Sequence, residues 1–124
     1  MSGLDVPHIE AEEVKRMIER GDEFVLADVR NHHTYCKSHI KGAVSLPLTE
    51  LDRDQMVAQF DKDDDIVLYC YNGSASEAVA QELIKHGFAN VRVMKGGHFK
   101  WRFVSGHKAL DEKVEMRAGM GYGH

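Results

Sequence analysis

Short apolar runs alternate with longer amphipathic stretches, and that alternation leaves this chain few folds to choose from. Phe24, Val25, Leu26 and Ala27 form one run, closing at Asp28; Ile66, Val67, Leu68 and Tyr69 form a second, closing at Cys70; Val91 to Met94 forms a third. Runs this short and this continuously apolar read as strands buried on both faces. A further short strand is expected over residues 43–46, ended by Pro47. Between the runs lie helical patterns. Residues 11–20 carry Val14, Met17 and Ile18 on one face, with charges opposite, and stop at Gly21. Helices are also expected over 32–38, over 51–60 with Leu51, Met56, Val57 and Phe60 inward, over 76–86 with Val79, Ala80, Leu83 and Ile84 inward, and from Phe99 to Val104. Strands alternating with helices predict an α/β domain: a central, mostly parallel sheet covered by helices on both faces, three layers in all. The 124 residues suit one domain, residues 1–106 with a core over about 7–104. Residues 107–124 mix charge with Gly119, Gly121 and Gly123 and read as a partly ordered extension.

Charge and cysteine usage narrow the chemistry. A net charge of −4 gives no reason to expect nucleic acid or an anionic membrane as a partner. No apolar run approaches membrane-spanning length. Residues 1–20 are broken by Asp5, Glu10, Glu12, Glu13 and Lys15, so they carry no signal-peptide core. Two cysteines, Cys36 and Cys70, do not make a disulfide framework. The expected location is therefore a reducing cytoplasm, where a thiol stays available for reaction.

Cys70 is the candidate that the pattern singles out. It stands between a buried strand and a helix, followed by the short polar stretch Tyr71, Asn72, Gly73, Ser74, Ala75 and Ser76. Backbone N–H groups converge at such a junction, and the helix dipole favours negative charge there. That setting makes a thiolate nucleophile. The competing reading is an inert core cysteine at a strand end. Ligands of open parallel sheets bind beyond the carboxyl ends of the strands; Asp28, Cys70 and the Gly96–Gly97 turn all fall at such ends, which favours the functional reading.

Four ordered motifs carry a resemblance. Asp28, Val29 and Arg30 follow a strand. His39, Ile40, Gly42, Ala43 and the closing Pro47 form a second segment. Cys70 opens a loop with Gly73 and Ser76. Gly87 and Phe88, then Gly96, Gly97 and Trp101, form the last. Spread over about residues 7–103, the set resembles a single-domain rhodanese, a thiosulfate sulfurtransferase, and within that family the small bacterial members with a Cys-Tyr-x-Gly loop. The resemblance implies a three-layer α/β/α rhodanese-like fold. It also implies that Cys70 takes the outer sulfur of a small anionic donor, thiosulfate or a persulfide, and holds it as a persulfide. An acceptor then removes the sulfur: cyanide in an assay, a thiol or a thioredoxin-like protein in the cell. The backbone of 71–76 would cradle the anion, with Gly73 at positive φ and the hydroxyls of Ser74 and Ser76 as further donors. Both serines also suit helix N-capping. No cofactor or metal is called for.

Supporting roles are expected for Asp28 and Arg30, as an ion pair fastening the strand end to a neighbouring loop, and for Trp101, packed beneath the site. His39 is expected to be a hydrogen-bonded structural histidine. Adjacent His32 and His33 point apart and do not fit a zinc site. Cys36 reads as an ordinary helix-surface thiol. One departure from the family stands out. Ala75 occupies the position where many members carry a loop arginine, so weaker thiosulfate binding is expected; Lys95, His98 and Arg102 near the glycine turn are substitutes for that charge. Two other functions compete: a catalytically silent rhodanese-like module that binds a partner or senses redox state, and a phosphatase or arsenate reductase. The latter use Cys-x5-Arg, whereas Ser76 stands at that arginine's position here.

Overall fold

The computed structural model describes residues 5–104 and 111–114. In chain order the elements are β1 (His8–Ile9), α1 (Ala11–Arg20), β2 (Val25–Asp28), α2 (His32–Lys37), β3 (His39–Ile40), β4 (Val44–Ser45), α3 (Arg53–Val57), β5 (Asp65–Tyr69), α4 (Ser74–Lys85), β6 (Asn90–Met94), α5 (Gly97–Val104) and β7 (Asp111–Glu112). Five strands form one sheet in the order β1-β6-β5-β2-β4, and every neighbouring pair in it is parallel. β3 and β7 form a separate antiparallel pair.

The side chains of β5 alternate between two cores. Ile66, Leu68 and Cys70 join Met56, Val79, Ala80 and Leu83 from α3 and α4 on one face. Val67 and Tyr69 join Ala11, Val14, Met17 and Trp101 from α1 and α5 on the other. The fold is thus the expected three-layer α/β/α arrangement. β5 is the middle strand and its interior residues are fully buried, which is why its sequence is an unbroken apolar run rather than an alternating one.

Several boundaries differ from the sequence expectation for local reasons. α4 begins at Ser74, two residues early, because Gly73 serves as N-cap through its backbone, φ 111°, with no capping side chain. α3 spans only Arg53–Val57; a capping box between Asp52 and Gln55 fixes its start. The pairing of β7 with β3 falls within residues 107–124, so part of the expected extension is built onto the domain. The remainder of that stretch, 107–110 and 115–124, lies outside the described residues.

Cys36 is not the surface thiol expected; it is buried, and the amide of Val114 donates to its carbonyl at 2.9 Å. Its Sγ lies 3.2 Å from His32 Nε2, and burial raises its pKa.

Candidate active site

Cys70 lies one residue beyond the carboxyl end of the central strand, where the chain turns into α4. The turn aims peptide N–H groups at the sulfur. The Gly73 amide donates to Cys70 Sγ at 3.0 Å and the Ser76 amide at 3.4 Å. The Ser76 hydroxyl lies 3.4 Å from the same sulfur and donates to the Gly73 carbonyl at 3.0 Å. These amides belong to the N-cap and first turn of α4, whose N–H groups have no partner within the helix. A sulfur carrying negative charge satisfies them and meets the positive end of the helix dipole.

The other loop residues take different roles. Asn72 Oδ1 accepts from the Ser74 amide at 3.2 Å and from the Ser74 hydroxyl at 3.0 Å. The Ser74 hydroxyl is therefore committed to Asn72 and does not bond the sulfur. Tyr71 projects outward and is more than half exposed. A cleft of about 430 Å³ opens beside the sulfur, lined by Val29, Arg30, Asn31, Thr34, Leu48, Thr49, Cys70, Tyr71, Asn72 and Ala75.

α5 locks the loop from the other side. The His98 amide donates to the Cys70 carbonyl at 2.7 Å, and the Phe99 amide to the Tyr71 carbonyl at 3.0 Å. Gly97 is what allows this approach. Its φ is 60°, and a Cβ there would lie 2.5 Å from both carbonyl oxygens. The glycine pair reads in the sequence as a turn, not as a clamp; the signal for the clamp is a Gly-Gly directly before a helix, where backbone meets backbone.

Asp28 and Arg30 form the ion pair expected of them. Arg30 Nη2 contacts Asp28 Oδ2 at 2.6 Å and donates to the Ser38 carbonyl at 2.6 Å, tying the end of β2 to the start of β3. Burial works against the Arg30 charge, but the Asp28 hydrogen bonds outweigh it and the guanidinium pKa rises. The arginine also lies 5.7 Å from the Tyr69 ring centroid. Tyr69 accepts from the Ile40 amide at 3.1 Å, and its burial, with Asp28 nearby, raises its pKa well above the usual value. The Val29 amide donates to the Tyr69 carbonyl at 2.8 Å, so this network braces the residue before Cys70.

Trp101 is fully buried but does not sit against Cys70. It fills the core on the α1/α5 side, and its indole N–H donates to Asp111 at 3.1 Å. The three substitute cations do not line the cleft. Lys95 pairs with Glu10 at 3.1 Å. His98 is buried, with its pKa lowered by burial and then by Arg30. Arg102 lies over the Phe99 and Phe103 rings. His39 is buried; its Nδ1 hydrogen-bonds the Tyr35 carbonyl at 2.9 Å and its ring stacks on Tyr35, the structural role expected.

Known proteins share this architecture. The thiosulfate sulfurtransferase GlpE of Coxiella burnetii is 35% identical over 97 residues, covering 78% of this chain and 85% of that protein. The tRNA uridine(34) hydroxylase of Photorhabdus laumondii is 30% identical over 126 residues, covering 89% of this chain but 35% of that protein. The Alr3790 protein from Anabaena sp. superimposes with a TM-score of 0.75 at 28% identity, covering 86% of this chain and 82% of that one. The model of the Rhodanese-like domain matches residues 10–103, from the threshold of α1 into α5. The four sheet strands after β1, the cysteine loop and nearly all of the clamping helix fall within that span, and the chain belongs to the rhodanese-like domain family.

Proposed function

We propose that this protein is a sulfurtransferase that moves sulfane sulfur from thiosulfate, or a similar small anionic donor, to a thiophilic acceptor through a persulfide on Cys70. Membership of the family and the GlpE relatives support sulfurtransferase chemistry in general. The observation that carries the specific reading is the aim of the Gly73 and Ser76 amides at Cys70 Sγ.

In the first step the Cys70 thiolate attacks the outer sulfur of thiosulfate. A bond forms between Sγ and that sulfur, the donor's S–S bond breaks, and its electron pair leaves with sulfite. The persulfide keeps one negative charge, which the N–H groups at the start of α4 favour. In the second step an acceptor such as cyanide attacks the outer sulfur. It departs as thiocyanate, and the S–S pair returns to Sγ. No electrons are gained or lost overall, and no proton needs a strong base. Asp28 and Arg30 act as positioning residues, bracing the strand end before Cys70. Both cysteines are free, as this chemistry requires of Cys70, and a reducing cytoplasm would keep them so. Among the described residues, no helix is long and apolar enough to cross a membrane.

The cleft is lean in positive charge. Ala75 lines it where a cation would help, and the Nε and Nη2 donors of Arg30 are occupied by Asp28 and Ser38. The sulfonate end of thiosulfate would meet the neutral polar groups of Asn31, Thr34 and Thr49 instead. Weak thiosulfate binding follows, and Ala75→Arg should lower the KM for thiosulfate severalfold with little change in kcat. An unchanged or raised KM would show that charge is not what limits binding.

The decisive test is mass spectrometry after incubation with thiosulfate. One added sulfur on the Cys70 peptide is expected, and none in Cys70→Ser. Absence of loading in the wild-type protein would instead favour a silent binding module. Hydrolysis of an aryl phosphate that depends on Cys70 would favour a phosphatase, although Ser76 stands where that chemistry wants arginine.

A further inference from the structure

A row of exposed aromatic rings runs from the Cys70 loop along α5. Tyr71, Phe99 and Phe103 are 54%, 45% and 73% exposed, three of the five large apolar side chains that stand exposed among the described residues. They touch in sequence. The Tyr71 and Phe99 centroids are 5.8 Å apart with planes at 63°, and those of Phe99 and Phe103 are 5.6 Å apart at 69°. Scattered exposed apolar residues need no explanation, but a contiguous row beside a reactive site does.

The row carries a cation without a carboxylate. Arg102 lies 5.0 Å from the Phe99 centroid and 5.6 Å from that of Phe103. Among the described residues Arg16, Arg20, Arg30, Arg53 and Arg92 all pair with carboxylates, and Arg102 has no such pair. A guanidinium spread over two aromatic faces keeps its outer surface ready for an anion.

The row is also fixed in position relative to the sulfur. Tyr71 lines the cleft that holds Cys70, and the Phe99 amide is bonded to the Tyr71 carbonyl. A body resting on Phe99 and Phe103 would therefore be held in register with the cleft mouth. A small thiol or cyanide seated in the cleft has no use for Phe103, which lies two ring contacts away from Tyr71.

We propose that the Tyr71–Phe99–Phe103 row with Arg102 is the docking surface for a protein that carries the acceptor thiol, and that the partner's face sets apolar side chains and a carboxylate beside its reactive cysteine. This rests on the sulfurtransferase reading of Cys70. Once docked, the partner's cysteine thiolate attacks the outer sulfur of the Cys70 persulfide. The bond between Sγ and that sulfur breaks, its electron pair returns to Sγ, and the partner leaves as the persulfide.

Two heptapeptides test the surface, Leu-Phe-Glu-Cys-Glu-Leu-Phe and its counterpart with lysine in place of each glutamate, with cyanide as the control acceptor. Persulfide-loaded protein should deliver sulfur faster to the acidic peptide. Phe103→Ser should slow that delivery by about tenfold and leave the cyanide rate unchanged. Arg102→Glu should reverse the preference between the two peptides. Equal loss toward peptide and cyanide, or no loss in either variant, overturns the proposal. So does a wild-type dimer in sedimentation that Phe103→Ser converts to monomer, since a second copy would then be the occupant. Fluorescence anisotropy with the cysteine of the acidic peptide replaced by serine needs no sulfur loading. Binding weakened by both substitutions there upholds the surface even if Cys70 never accepts sulfur, and binding that neither substitution changes removes it.

Discussion

The two cysteines of this chain are equally hidden and differently furnished. Cys36 and Cys70 are each 4% exposed, and each sulfur has a polar neighbour within 3.2 Å. Around Cys70 those neighbours are peptide N–H groups, held by the backbone at the start of a twelve-residue helix. At Cys36 the neighbour is the His32 ring on a six-residue helix, and burial pushes the thiol pKa up. Exposure therefore does not distinguish the two sulfurs. What separates them is whether fixed dipoles converge on the sulfur and whether a cleft opens beside it.

The largest expected effect contrasts the two sulfurs directly. Cys70→Ser should remove thiosulfate:cyanide turnover by roughly a thousandfold or more, since no covalent intermediate can form. Cys36→Ser should leave turnover within about twofold. Comparable losses in the two variants would erase the distinction. Next in size is Gly97→Ala, which puts a Cβ against the carbonyls of Cys70 and Tyr71. It should destabilise the fold by about 1–3 kcal/mol and slow sulfur loading by displacing the loop. Chemical denaturation and loading rates measured together would show it. Unchanged values for both would mean that the clamp from α5 is dispensable.

Smaller still is Ser76→Ala, which removes one hydroxyl from the sulfur and from the Gly73 carbonyl. A loss of about 0.5–1.5 kcal/mol is expected, seen as a roughly 2–10-fold fall in kcat/KM. The smallest effect is one of pH. His98 has a lowered pKa in the folded state, so the unfolded chain takes up its proton first on acidification. Stability from this group is complete at neutral pH. It begins to fall near the unfolded value of about 6.5 and levels off below the folded one. Urea midpoints should drop across that window, and less so in His98→Gln. An equal drop in the variant would place the acid sensitivity elsewhere.

Much of this arrangement was legible from residues alone because it is local. Ile66 to Tyr69 is apolar because β5 is buried on both faces, and the placement of Cys70 at its end follows from counting along the chain. What escaped is mostly non-local. β1 has two residues and exists by pairing with β6, far along the sequence. Cys36 is buried and its carbonyl accepts from the Val114 amide, and nothing in the Tyr35–Lys37 sequence announces either. Trp101 was expected beneath the site, yet it faces the α1/α5 core because its position on α5 turns it away from Cys70. The two serines part ways for a local reason: the Ser76 hydroxyl lies beside the sulfur and that of Ser74 does not. Ser74 and Ser76 look like N-caps, but the backbone of Gly73 starts the helix, and Asn72 takes both donors of Ser74.

The order of strands has a consequence for how the protein is made. β1 leaves the ribosome well before its partner β6: the Val93 amide bonds the Pro7 carbonyl, and the Lys95 amide bonds that of Ile9. Contacts so distant in sequence close slowly. The amides of His98 and Phe99 that hold the Cys70 loop emerge later still. A nascent chain thus carries Cys70 before it carries the amides that hold its loop. Translation must run past α5 before the sulfur is fully seated.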